Sequence, residues 1–140
     1  MIWTIPIQVA EINNRCRHTL CDHLGIVFTE VGDDYLIATM PVDQRTIQPM
    51  GILHGGASCA LAETVGSAAA NYCIDGATKV AVGLDININH IRPVRSGLIA
   101  ATAKALHLGK TTQVWEIKIY NEAKQLISAA RLTMAIIAKN

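Results

Sequence analysis

The sequence predicts an α+β architecture, a curved antiparallel β-sheet wrapped around one long central helix, and three observations lead to it. The run from Gly55 to Ile74 carries a single charged residue, Glu63, and is otherwise apolar, small or uncharged, the pattern of a helix buried on all sides. Downstream, β-rich runs are separated by short turn clusters as far as the last residues. A helix apolar around its whole circumference is covered only if a sheet curls about it. At 140 residues the chain suits one domain, residues 1–140, with no linker.

The elements follow in order. Residues 8–24 place Val9, Ile12, Cys16 and Leu20 at helical spacing, with Glu11, Asn14, Arg15 and Arg17 on other faces, so an amphipathic helix ended by Gly25 is expected. Ile26–Val31 and Tyr35–Val42 are strands joined by the turn residues Gly32-Asp33-Asp34, and Pro41 closes the second. Residues 43–52 form a polar loop that delivers the chain to His54 and the central helix. After the Asp75-Gly76 turn, Val80, Val82, Leu84, Ile86 and Ile88 alternate with Ala81, Gly83, Asp85, Asn87 and Asn89, so the first set shares one face of a strand, with His90 on that face. Strands at 98–106, 112–120 and 125–138 follow, joined by Ser96-Gly97, by His107 to Lys110 and by Asn121-Glu122. Connections this short predict that the last four strands form an antiparallel meander.

Composition narrows the function. Twelve Lys and Arg against eleven Asp and Glu give a net charge of +1, and no basic run or aromatic-interleaved basic patch is present, which argues against a nucleic-acid partner. The apolar fraction of 51% with only 16% charged residues exceeds what a lone small domain needs to bury and favours contact with copies of itself. Cys16, Cys21, Cys59 and Cys73 make no Cys-x-x-Cys pair and read as reduced core residues. The first residues lack the basic and apolar segments of a signal peptide, and the central run, rich in Ala and Gly and interrupted by Glu63, is a poor membrane span; both favour a cytoplasmic location. The five histidines show no metal-ligand spacing.

Glu63 is the residue that asks for a chemical explanation. A carboxylate in an apolar helix is costly unless paired, so it is either an ion-pair partner of an Arg such as Arg92 or Arg131, or a working acid. His54-Gly55-Gly56 at the helix start supplies a complement: glycines allow close approach, and first-turn N–H groups suit a developing negative charge. His54 and Glu63 are nine residues apart, about 13 Å along a helix axis, too far to act on one atom. A site that uses both ends needs two copies of the chain.

Four motifs, in this order, carry a resemblance over nearly the whole chain: Gln48-Pro49-x-Gly51-x-Leu53-His54-Gly55-Gly56, then Ala62-Glu63-Thr64-x-Gly66-Ser67, then Asn89-His90-x-Arg92-Pro93, then Leu106-His107-Leu108-Gly109. They resemble the hotdog-fold acyl-CoA thioesterases, in the branch that holds glutamate-type 4-hydroxybenzoyl-CoA thioesterase, 1,4-dihydroxy-2-naphthoyl-CoA hydrolase of menaquinone synthesis and the proofreading thioesterase of enterobactin synthesis. The resemblance implies a hotdog fold and hydrolysis of an aromatic or other bulky acyl-CoA to free acid and CoA. It implies Glu63 as nucleophile or general base, the Gly55 N–H as holder of the thioester oxygen, Gln48 and His54 as groups that bind and polarise the carbonyl, and Ser67 with Thr64 beside the acid. Gly83, His90, Ile91, Arg92 and Pro93, with His107, Leu108, Gly109, Lys110, Thr111 and Thr112, take the positions that meet the CoA moiety. Val65, Ala68 and Tyr72 are expected beside the acyl group. No cofactor or metal is implied, CoA being part of the substrate, and an obligate homodimer that pairs into a homotetramer is. Two rivals stand beside this reading: a hotdog dehydratase or isomerase acting on acyl-carrier-protein thioesters, and a non-catalytic acyl-CoA-binding protein.

Overall fold

A computed structural model describes residues 1–140. Six strands, β1 (Val27–Val31), β2 (Tyr35–Val42), β3 (Lys79–His90), β4 (Gly97–Leu108), β5 (Thr112–Tyr120) and β6 (Leu126–Ala138), form one sheet in the order β1-β2-β4-β5-β6-β3. Every neighbouring pair is antiparallel. Three helices complete the chain: α1 (Val9–Arg15), α2 (Leu20–Leu24) and α3 (Gly55–Asn71).

The sheet packs on α3 through small and branched side chains. Leu61, Ala62, Val65, Ala69 and Ala70 are wholly buried, as are Ile99, Ala101, Ala103, Trp115, Ile117, Ile119, Leu132 and Met134 of the strands. At Gly66 the sheet comes so near that a Cβ would lie 2.6 Å from the Leu132 Cδ2 atom. Trp115 stacks on Trp3 with ring planes within 5°, and its indole N–H donates to Gln113 Oε1 at 2.9 Å while the Gln113 amide donates to Ala70 O, so the buried polar groups satisfy one another.

Four expectations are corrected. The first helix is two pieces, because the chain turns at His18, whose φ is 61°, and restarts at Leu20. The last four strands are not a simple meander: β4, β5 and β6 are, but β3 pairs with β6 and lies at the edge of the sheet, a pairing set by long-range contacts that a short connection cannot reveal. The alternation in β3 is broken by a bulge between Gly83 and Asp85. Ala81 is therefore buried, while Val82 and Leu84 are exposed, and only after the bulge do Ile86 and Ile88 turn inward. Finally, α3 is not covered all round. Gly56 and Glu63 are exposed, and Ala60, Thr64 and Ser67 are half-buried beside them, so one stripe of the helix faces outward.

Asn71, the last residue of α3, fixes this stripe relative to β3. Its Nδ2 donates to Ser67 O at 2.9 Å and Ala81 O at 3.0 Å, and its Oδ1 accepts from Ala81 N–H at 2.9 Å. The clamp ties the helix end to the strand that carries Gly83.

Candidate active site

The start of α3 has four N–H groups to satisfy, and their accounting picks out one. Gly56 N–H donates to His54 Nδ1 at 2.8 Å, and Ala57 and Ser58 N–H donate to His54 O at 3.0 and 3.2 Å. Gly55 N–H donates to no group of the chain. His54 thus works as the N-cap of the helix, with the ring proton left on Nε2. The free Gly55 N–H stands at the positive end of a helix of 17 residues, where an anionic oxygen is favoured.

Around that N–H lies a cavity of about 320 Å³ whose lining includes Gln48, Gly55, Ser58, His90, Arg92 and Ser128. His90 Nε2 would stand 2.7 Å from a Cβ at Gly55, so glycine is what lets the imidazole lie over the helix start. The other ring nitrogen, Nδ1, is 3.1 Å from Ser128 Oγ, a buried hydroxyl that fixes the ring. Gln48 sits on a tight turn in which Gly51 has φ 77° and Gly51 N–H donates to Gln48 O. Its Oε1 accepts from Met50 N–H, which leaves its amide NH₂ as a donor. Ile91 and Pro93 also line this cavity.

Glu63 belongs to a different place. Its carboxylate lies against β3, where a Cβ at Gly83 would stand 2.6 Å from Oε1. The chain's two ion pairs are Arg45–Asp43 and Lys118–Glu116, so neither Arg92 nor Arg131 neutralises it, and the ion-pair reading of this acid fails. Cys59, one turn before it, feels its charge: burial first, then Glu63, raise the thiol pKa. Thr64 and Ser67 face a cleft of about 420 Å³ between α1–α2 and α3, together with Ala68 and Tyr72. Val65, expected beside the acyl group, is wholly buried against the sheet instead. The turn from β4 to β5 lies toward this end of the sheet, because Thr112 is level with Ala135, which in turn pairs with Val82. Within that turn Gly109 N–H donates to Thr112 O at 2.9 Å, Thr111 O accepts from Ile136 N–H, and the His107 ring lies so near Gly109 that a Cβ there would be 2.5 Å from its Nε2. Leu108 and Lys110 are exposed.

The residues singled out from the sequence therefore fall into two groups. Gln48, His54, Gly55, His90, Ile91, Arg92 and Pro93 gather at the start of α3; Glu63, Thr64, Ser67, Gly83 and the His107–Thr112 turn lie toward the other end of β3. Gly55 and Glu63 are eight residues apart on one helix, about 12 Å along its axis. Ser128 and Arg15, which line the two cavities, were missed; both lie far in sequence from the motifs, and only packing brings them in.

The arrangement of sheet and helix is that of the hotdog-fold thioesterases, and residues 50–128 match the model of the thioesterase superfamily, to which the chain belongs. It is a thioester hydrolase. It is 48% identical to the 1,4-dihydroxy-2-naphthoyl-CoA hydrolase of Escherichia coli, over 98% of this chain and 100% of that one, and 46% identical to the proofreading thioesterase EntH of Cronobacter sakazakii, over 98% and 99%. Among solved structures, a thioesterase of Haemophilus influenzae superposes with a TM-score of 0.96 at 47% identity, covering 99% of this chain and 96% of that one. No helix of the chain is long and apolar enough to cross a membrane.

Proposed function

We propose that this enzyme hydrolyses an aromatic or other bulky acyl-CoA to the free acid and CoA, as a homodimer in which each active site takes Gly55, Gln48 and His90 from one chain and Glu63 from the other. The observation that carries the proposal is the free Gly55 N–H on the same helix as Glu63, the two residues about 12 Å apart along its axis. Neither group has a chemical partner within its own chain, and each supplies what the other half lacks.

The geometry of β3 supports the way the halves meet. It is a 12-residue edge strand with Val82 and Leu84 exposed, the kind of edge that a second strand pairs with. A two-fold pairing of β3 with its copy, centred on Asn87 and with the bulge residue Leu84 left unpaired, sets Gly83 opposite the partner's His90. Glu63 lies on Gly83, and Gly55 lies under His90, so that symmetry brings the carboxylate to the partner's free N–H. The thioester oxygen would then accept from Gly55 N–H, with the Gln48 amide as a second donor. As the carbonyl is attacked, charge grows on that oxygen, where the helix start stabilises it. The ionised Glu63 either adds to the carbonyl carbon, expelling the CoA thiolate and leaving a mixed anhydride that water opens, or takes a proton from the attacking water. Both routes use the same two halves and need no metal or redox group. The Ile91–Pro93 segment and the His107–Thr112 turn would flank the entrance in the dimer and hold the pantetheine and nucleotide. A tetramer would add an interface that no step uses.

Thiol release from benzoyl-, dihydroxynaphthoyl-, phenylacetyl- and fatty acyl-CoA, with one aryl carrier-protein thioester beside them, tests the reading. Preferred cleavage of an aryl-CoA is expected; a purified enzyme that works faster on fatty acyl or carrier-protein thioesters contradicts the substrate class.

A further inference from the structure

The cleft beside Ser67 ends on a positive charge that the proposed chemistry does not use. Its wall is apolar at Ile12, Phe28 and Ala68, and Thr64 and Ser67 open it toward the turn that carries Glu63. A second cavity, of about 730 Å³, lies at the C-terminal end of α3 beside Asp75, Lys79 and Lys139. Arg15, Asn71 and Tyr72 line both cavities, so the two meet at these residues. The junction is about one helical turn beyond Ser67 and about 12 Å along the axis from Glu63, measured to Asn71.

At that junction the donors are unequally placed. The Asn71 amide is spent on Ser67 O, Ala81 O and Ala81 N–H. Arg15, in the last turn of α1, makes neither of the chain's two ion pairs. Lys79 and Lys139 lie beyond it near the one carboxylate of the second cavity, Asp75, which also accepts from Thr78 Oγ1 and Ala77 N–H, so the guanidinium is the cation left without a carboxylate. A guanidinium has donors only, in a planar fork that matches a carboxylate. A largely apolar cleft that begins at Thr64, the neighbour of Glu63 on α3, and reaches an exposed guanidinium without an ion-pair partner is complementary to an acyl group that is apolar along its length and anionic at its far end.

We propose that Arg15 is a specificity residue and that the preferred acyl group bears a carboxylate or comparable anionic acceptor remote from the thioester. The inference rests on the hydrolase reading above and names its substrate class more closely. The test compares the CoA thioesters of benzoate and of 4-carboxybenzoate with wild type, Arg15→Ala and Arg15→Lys. In wild type, kcat/KM for the carboxylated substrate is expected to exceed that for benzoyl-CoA by roughly tenfold or more, the scale of one charge-assisted hydrogen bond. The ratio should collapse toward one in Arg15→Ala and be partly kept in Arg15→Lys. Damage to the fold would lower both substrates alike and leave the ratio unmoved. A ratio equal in wild type and Arg15→Ala overturns the inference while leaving the hydrolase reading intact. If neither thioester is cleaved, the aryl-CoA reading falls, and calorimetric binding of free terephthalate against benzoate then decides Arg15: equal affinities of wild type and Arg15→Ala for terephthalate overturn it.

Discussion

Gly55 and Glu63 illustrate how one residue's surroundings decide its chemistry. Gly55 owes its proposed role to an absence, the missing acceptor for its N–H, and the backbone before it is already suited to a sharper test. His54 is extended at φ −70°, ψ 128°, and the first helical position accepts proline, so Gly55→Pro removes the donor without breaking the helix. Gly55→Ala keeps the N–H and adds the same crowding of His90. Steady-state assays of the pair should show kcat for the proline variant lower by about 10²-fold or more than for alanine, the value of one oxyanion donor. Glu63→Gln should lower kcat by about 10³-fold with its circular dichroism unchanged. Gly83→Val tests the resting place of the carboxylate. Oε1 is the tip of a flexible side chain, so the fold should tolerate the new Cβ while the displaced acid costs on the order of 10²-fold in kcat. Equal activity of Gly83→Val and wild type would show that the carboxylate does not work from that position. These groups stand out in the sequence as candidates because an acid without neighbours and a Gly-Gly at a helix start are local anomalies. The capping use of the His54 ring was not, since a histidine before a helix leaves no local sign of which atom its ring will meet.

At the scale of elements, α3 is held by contact on the sheet side and by Asn71 at its end. Gly66→Ala forces a methyl toward Leu132 and Ile117 in a filled core and should cost about 1–3 kcal/mol in urea denaturation. Two thiols beside the helices report on burial. Cys16, at the end of α1, has its pKa pushed up to about 11 by burial and by Cys21, and burial raises Cys73, just past α3, to about 11 as well. In the unfolded chain these thiols ionise near 9.0, so stability is fully present below pH 9 and is lost as the pH rises toward 11. Replacing both by Ser should flatten that alkaline decline in a series of melting curves. The sequence located β2, β5 and α3 well, because periodicity and turn residues are local signals. It missed the bulge at Gly83, the left-handed His18 that splits the first helix and the crossing of β3 to β6. Each depends on what a distant segment packs against: the bulge turns Ala81 toward Asn71 and Val82 outward, against the plain alternation of apolar residues.

The proposed dimer joins two groups of residues that lie toward opposite ends of one edge strand, Gly55 beneath His90 and Glu63 on Gly83, and only a second chain brings them together. The apolar excess in the composition, the long edge of β3 and the open stripe of α3 all point to the same surface. Subunit complementation tests this most directly. Glu63→Gln and Gly55→Pro, each inactive alone, are unfolded together, refolded as an equal mixture and assayed for thioester hydrolysis. In a mixed dimer one site combines the intact Glu63 of one chain with the intact Gly55 N–H of the other. Random pairing makes half of the dimers mixed, each with one good site of two, so activity should return to about a quarter of wild type. A mixture that stays as inactive as its two parents, although wild type refolded in parallel regains full activity, would place both groups of each site in one chain and contradict the account.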